Sequence, residues 1–553
     1  MSPALDQLPP EILRMTLAHL DIDCRYSIEL EPPDAHFRYS RQMGERPSWY
    51  SLRLQPLLSL CLVSKRLCSA IQPILYSEFM LGYGDSWRSE LYTWDGRLLS
   101  FLKTVARRRD LAGFVKRIHI LPHLLQASLK ALEKERDRQR LLEERKIRAG
   151  TANRKGLLPP DVDIDNLPYQ SDLPVHFDPP LPELRQSILE DEARDTLREI
   201  AVALRIKKPT RLSAKDLVTL LIAALPKLEL CSLFFGPDSD SFSFDAATLS
   251  AAGISQLPLR TINLSVLRTA EKYFDLDYNA RALLDVSPCL ETLNLHKCYC
   301  SLRKRYGTRK RPALLFLPRL KHVRITSSRL NEQGLENILN SCNSLCSFTY
   351  EAGGRFCNGE PEDYWDCSDH FQLRNAAKYL SRHRKTLESV HIDLRRRGGD
   401  PATPSAFSFR EFTALKHLFL NLDEFHSRFF MHRWTDDSQI LVQILPSGIN
   451  SLHLAGRIGQ ERSRLEKALL GLGEAAVNKE FQNLKEVRWD RKTKLHAEDS
   501  VRSLLADAGI DFAYDSWPST RSSFYQGDSI PFPNFENPLW SLPDSDDFSN
   551  SDL

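Results

Sequence analysis

The chain has 553 residues, 42% hydrophobic and 27% charged, with a formal net charge of +3. That length admits two or more domains or one extended repeat array, and the composition is that of an ordinary soluble globular protein. So small a net charge gives no ground for a nucleic acid or a membrane as partner, and eleven cysteines in such a length do not make a disulfide scaffold.

The first six residues carry neither a basic nor an apolar signal region, and the longest apolar run, Leu217 to Leu225, is about half a bilayer span. An intracellular protein, cytoplasmic or nuclear, is therefore expected. The stretch LPPEILRMTLAHLD, Leu8 to Asp21, places Ile12, Leu13, Leu17 and Leu20 on one helical face. Pro9 and Pro10 suit a first turn, where an N–H is not needed. A second helical run covers Pro56 to Phe79, in which Ser64 can cap a helix starting at Lys65 and Pro73 can end it or open another. Helices this few do not stabilise themselves without a metal, disulfides or a partner.

Leu8, Pro9, Glu11, Ile12 and Leu13, followed by Leu57 and Leu58, by Leu62 to Lys65 and by Pro73 to Tyr76, resemble an F-box. The resemblance covers residues 5–21 and 55–79. It departs from the family in the 33 residues of 22–54, where a short loop is usual, and in Thr16, where an apolar residue is common. It implies that Leu8, Pro9, Glu11, Ile12, Leu13, Leu62, Val63 and Lys65 contact the Skp-type adaptor of a cullin–RING ubiquitin ligase. The bland alternative is an N-terminal helical cap on the next domain.

Residues 81–514 carry a different pattern, a leucine-x-x-apolar-x-apolar string. It recurs at 228–233, 259–264, 290–295, 320–325, 345–350, 387–392, 415–420, 449–454 and 484–489, with an outlying member at 115–120. The first four units of the main run start 31, 31 and 30 residues apart, and Pro226, Pro288 and Pro318 each stand two residues before the leading leucine. Each unit reads as a short strand with its first, fourth and sixth residues inward. A helical return follows, as in 331–342, or in 213–225 with Ser213 and Asp216 as a capping pair. Units of this size must share a core with stacked neighbours. The fold class expected is α/β: a small all-α F-box-like module over residues 1–80, then a leucine-rich-repeat-like solenoid of about ten parallel strands. An α/β sandwich is the alternative.

Within 128–182 the alternating charges of 131–148 mark a solvated helix, and the Pro- and Asp-rich 157–182 a flexible insertion. From Asp515 to the C-terminus, seven acidic residues face Arg521 alone, and a disordered acidic tail is expected.

No catalytic signature survives its context: there is no P-loop, HExxH or GxSxG. GLGEAA at 471–476 mimics a dinucleotide fingerprint but follows a helical run, and reads as a helix terminus. The cysteines form no CxxC pair. No cofactor, metal or catalytic residue is expected, and the chain is not expected to be an enzyme. What remains is the concave face, to which the residues two and four after each leading position project. Arg117, His119, Asn294, His322, Arg324, His391, His417, His453 and Arg488 stand out there as donors for an acidic or phosphorylated client protein. The loop Arg303 to Arg311 adds six positive charges, and the acidic tail is a possible competitor for such a surface. The reading that unites these features is the substrate-recognition subunit of an SCF-type ligase. A non-ligase interaction scaffold is the second, and an enzyme with an unrecognised site in the histidine-rich concavity the third.

Overall fold

The computed structural model describes residues 9, 11–13, 49–80, 94–120, 202, 217–235, 244, 246–266, 276–296, 298, 315–352, 371, 373–394, 407–421, 436–456, 462–490 and 494–515. Leu8, Thr16, the segment 128–182, the 303–311 loop and the chain beyond Asp515 lie outside these residues.

Near the N-terminus, residues 11–13 are helical, α1 spans Trp49–Val63 and α2 spans Lys65–Leu75. Helix α1 reaches back into 22–54, taking in residues 49–54 of the expected insertion. Ser64, extended at φ −155 and ψ 155, separates α1 from α2 and caps the latter, accepting from the Leu67 N–H at 3.2 Å. Pro73 neither ends α2 nor opens another helix but lies inside it, where it only forgoes one backbone bond. Leu13, Leu57, Leu67 and Ile71 form a small core of their own, separate from that of the rest of the chain.

The remainder is one parallel sheet whose strands lie side by side in chain order. These are β1 Glu78–Met80, β2 Arg117–Ile120, β3 Leu230–Phe235, β4 Thr261–Val266, β5 Thr292–His296 and β6 His322–Ser328. They continue as β7 Ser347–Ala352, β8 Ser389–Asp393, β9 His417–Asn421, β10 Ser451–Ala455, β11 Glu486–Asp490 and β12 Asp511–Asp515. All ten expected strands are present. The two additional ones sit at the ends, and β1 lies inside residues 1–80, so the sheet begins before the expected domain boundary. At that end Phe79 stacks on Phe101 of the helix Trp94–Arg107, with ring centroids 3.9 Å apart.

The first, fourth and sixth residues of the units from 228 onward are inward, as in Leu259, Ile262 and Leu264 or Leu387, Val390 and Ile392, all buried in one continuous core. The helical returns close it from one side. Among them are α3 (Leu217–Ala224), α4 (Glu332–Ser341), α5 (Arg462–Val477) and α6 (Glu498–Asp507). Helix α4 starts at Asn331, whose side chain accepts from the Gly334 N–H at 2.7 Å. The GLG of 471–473 lies in the last turns of α5 and serves packing: a Cβ on Gly471 would run into the Ser438 backbone, and one on Gly473 into the Leu504 side chain.

The proline phasing has a local cause. Leu225 to Leu228, Ser287 to Leu290 and Leu317 to Leu320 are tight turns, the leading leucine N–H bonding back to the first residue's carbonyl at 3.1–3.3 Å. Proline takes the second place of each, where its fixed φ is favoured. Directly after the leading residue, one carbonyl accepts two N–H groups from the next repeat. The Arg260 carbonyl takes Glu291 and Thr292 at 2.8 and 2.9 Å, and the Glu291 carbonyl takes Lys321 and His322, both at 2.9 Å. The same device recurs along the sheet, at Glu388 and Lys416 among others.

Candidate functional site

Two surfaces follow from this arrangement. On the N-terminal helices, Leu13 is 1% exposed and is a core residue, which removes it from the expected adaptor contacts. Its burial lets the neighbouring side chains point out: Ile12 is 46% exposed, Leu62 88% and Val63 67%. Pro9, Glu11 and Lys65 are exposed beside them. Leu58, 48% exposed and one helical turn before Leu62, completes an apolar face that the sequence reading did not assign. Its spacing of four residues from Leu62 was the available signal.

The second surface is the sheet face turned away from the core, which carries the side chains two and four places after each leading residue. The outer of these two rows begins at the strand starts and is reachable except at Leu230 and Ser451, which are buried. Thr261, Thr292, Ser347, Ser389 and His417 are half-buried, and His322 is exposed, its Nδ1 2.9 Å from the Ser347 hydroxyl. Burial draws the His417 imidazole below its ordinary pKa. Arg117 is tied to Glu78 at 3.6 Å, and at the far end Arg488 to Glu486 and Asp511 at 3.1 and 2.8 Å.

The row two residues further along is mostly closed, contrary to the expectation that all these positions face solvent. Asn263, Asn294, His391, Phe419 and His453 are buried, whereas Ser232, Arg324 and Thr349 are half-buried. The side chain of His119 lies outside the description. Parallel strands run about 4.8 Å apart, so in-register side chains fill one another's space. Asn294 Nδ2 donates to Asn263 Oδ1 at 2.8 Å, and Phe419 lies between the rings of His391 and His453 with centroids 3.9 and 4.8 Å away. Asn294, His391 and His453 therefore hold the sheet together and are not presented to a client.

Two pairs of charges on the strand-start rim meet between repeats, Arg260 with Glu291 at 3.7 Å and Lys416 with Glu388 at 2.8 Å. Lys321 and Arg319, both exposed, have no ion pair among the described residues. Neither was singled out in the sequence. The described cysteines are free thiols, and burial pushes Cys342 up to about 11, well away from a reactive thiolate.

Parallel strands laid side by side in chain order and joined by turns and helical returns are the arrangement of a repeat solenoid. Residues 314–510 match the family model of a leucine-rich repeat domain. That segment runs from the turn before β6 through β11, and β1 to β5 continue the same sheet beyond it. No curated protein matches the chain. Leucine-rich repeat domains generally bind protein partners through such extended surfaces, and no described helix is long and apolar enough to cross a membrane.

Proposed function

We propose that the chain is a substrate-receptor subunit of an SCF-type ubiquitin ligase. The N-terminal helices bind a Skp-type adaptor, and through it a cullin, while the solenoid holds a client protein. The supporting observation is the exposure of Leu62 and Val63, with Ile12 and Leu58 alongside, on helices that already possess their own core at Leu13, Leu57, Leu67 and Ile71. Large aliphatic side chains left in water beside a finished core are what a partner's surface covers, at about 1.5–3 kcal/mol for each one fully buried. The client surface is redrawn as the reachable row around Thr292, His322, Ser347, Ser389 and His417, suited to an acidic or phosphorylated segment. The chain makes and breaks no bond and needs no cofactor; it raises the concentration of a client lysine near a ubiquitin-charged enzyme.

Co-purification of the full-length protein with the adaptor, compared with Leu62→Asp/Val63→Asp, tests this. The wild type is expected to retain adaptor and cullin and the variant neither, with unchanged thermal unfolding. Adaptor binding that survives the double substitution would refute the reading. A non-ligase scaffold is the second reading, favoured by the 33-residue insertion 22–54 between the two motif halves; adaptor without cullin in the wild-type sample would select it.

A further inference from the structure

The rim at β6 gathers three exposed basic side chains, Arg319, Lys321 and His322, within four residues. In the row of residues preceding the strands, Lys321 stands between Glu291 and Cys346, and the Glu291 carboxylate contacts Arg260 of the outer repeat. Arg319 occupies the third place of the Leu317–Leu320 turn, and its only hydrogen bond among the described residues is a long one, 3.7 Å, to the Cys289 thiol. His322, exposed, follows Lys321, and Arg324 lies half-buried two residues on. The neighbours in register with His322 are Thr292 and Ser347, both hydroxyls. The result is an electropositive stretch of rim bordered by hydrogen-bonding groups, suited to carboxylates.

The same chain carries the complementary charge. Residues 516–553 contain six acidic side chains and one basic, with Asp544, Asp546 and Asp547 clustered about 30 residues beyond β12. From β12 back to β6 there are six strand spacings, roughly 29 Å at about 4.8 Å each. A chain of that length has a root-mean-square span of about 30 Å, close to the distance at which a tethered ligand reaches its highest effective concentration. We propose that the Asp544, Asp546 and Asp547 cluster docks on the Arg319, Lys321 and His322 rim. The tail then occupies a place that an acidic partner segment must win by competition. The contact itself stands apart from the adaptor reading; only its effect on a client rests on the interaction role proposed above.

Zero-length carbodiimide coupling of the full-length monomer tests the contact, because it joins a lysine to a carboxylate only where they touch. Coupling of Lys321 to Asp544, Asp546 or Asp547 within one chain is expected. It should fall to background in Arg319→Glu and in about 0.5 M salt, where the screening length is roughly 4 Å. Equal coupling of the tail to Lys321 and to the exposed Lys485, or coupling only between two copies, would overturn the proposal. Neither result bears on the adaptor co-purification, so the two readings fail separately.

Discussion

The imidazole of His391 lies flat against the ring of Phe419, with centroids 3.9 Å apart and planes within 7° of parallel. The pair joins β8 to β9 on the face away from the core, and shields a titratable group from water. Glu351 on β7 approaches at 3.8 Å, whereas Arg324 on β6 and His453 on β10 oppose a positive charge. Burial is the largest influence and holds the His391 imidazole well below its ordinary 6.5.

The sign of the pH dependence follows. Between the lowered folded value and 6.5 the unfolded chain binds a proton that the folded chain refuses, so stability is lost as pH falls below 6.5. The melting temperature should drop between about pH 7 and about pH 5. The drop should be smaller in His391→Phe, which keeps a ring against Phe419 but cannot titrate. An identical drop in both proteins would count against this account.

Asn294 offers a second check on the closed row. Its Nδ2 donates to Asn263 Oδ1 at 2.8 Å with both side chains buried. Asn294→Ala would leave the Asn263 oxygen without that donor, at about 1–3 kcal/mol. At a solvent-facing position the same change would fall within about 0.5 kcal/mol. Chemical denaturation separates the two outcomes.

Gly471 and Gly473 should respond unequally to alanine. In an exposed helix interior the exchange would gain about 0.5–1 kcal/mol. At Gly471 the new Cβ meets the Ser438 backbone, so a net loss of about 1–3 kcal/mol is expected. At Gly473 it meets the Leu504 side chain, which can turn aside, and the loss should be smaller. Thermal unfolding of the two variants measures the difference.

Leu13 and Leu62 divide stability from binding. Leu13→Ala opens a void in the small core and should cost about 2–5 kcal/mol of local stability, read by hydrogen exchange of α2. Leu62→Ala, at a side chain 88% exposed, should leave that exchange unchanged and weaken only partner retention.

The repeat strands were legible because each puts three apolar side chains into a shared core, a pattern independent of anything distant in the chain. The end strands lack it for local reasons. The leading slot of β12 falls on Gly509, whose positive φ of 74 just after α6 suits glycine. That of β1 falls on Tyr76, the cap of α2. Which of the adjacent Ile12 and Leu13 turns inward was not legible, since that depends on where α1 and α2 lie. The row containing Asn294, His391 and His453 was misread because alternation along a strand specifies the face, while access to that face depends on side chains of neighbouring strands.

The carbonyl that serves two amides of the following repeat gives the molecule a stiff edge and a permissive one. At the stiff edge the step from Arg260 to Glu291 to Lys321 is set by backbone bonds, so one extra amino acid there would throw every later strand out of alignment. At the permissive edge, past Ile120 and His296 for example, the chain runs for very different distances before the next described element without disturbing the ladder. New sequence can accumulate on one side of such a stack while the other stays metrically constant, so diversification of what the protein holds need never disturb how it stands.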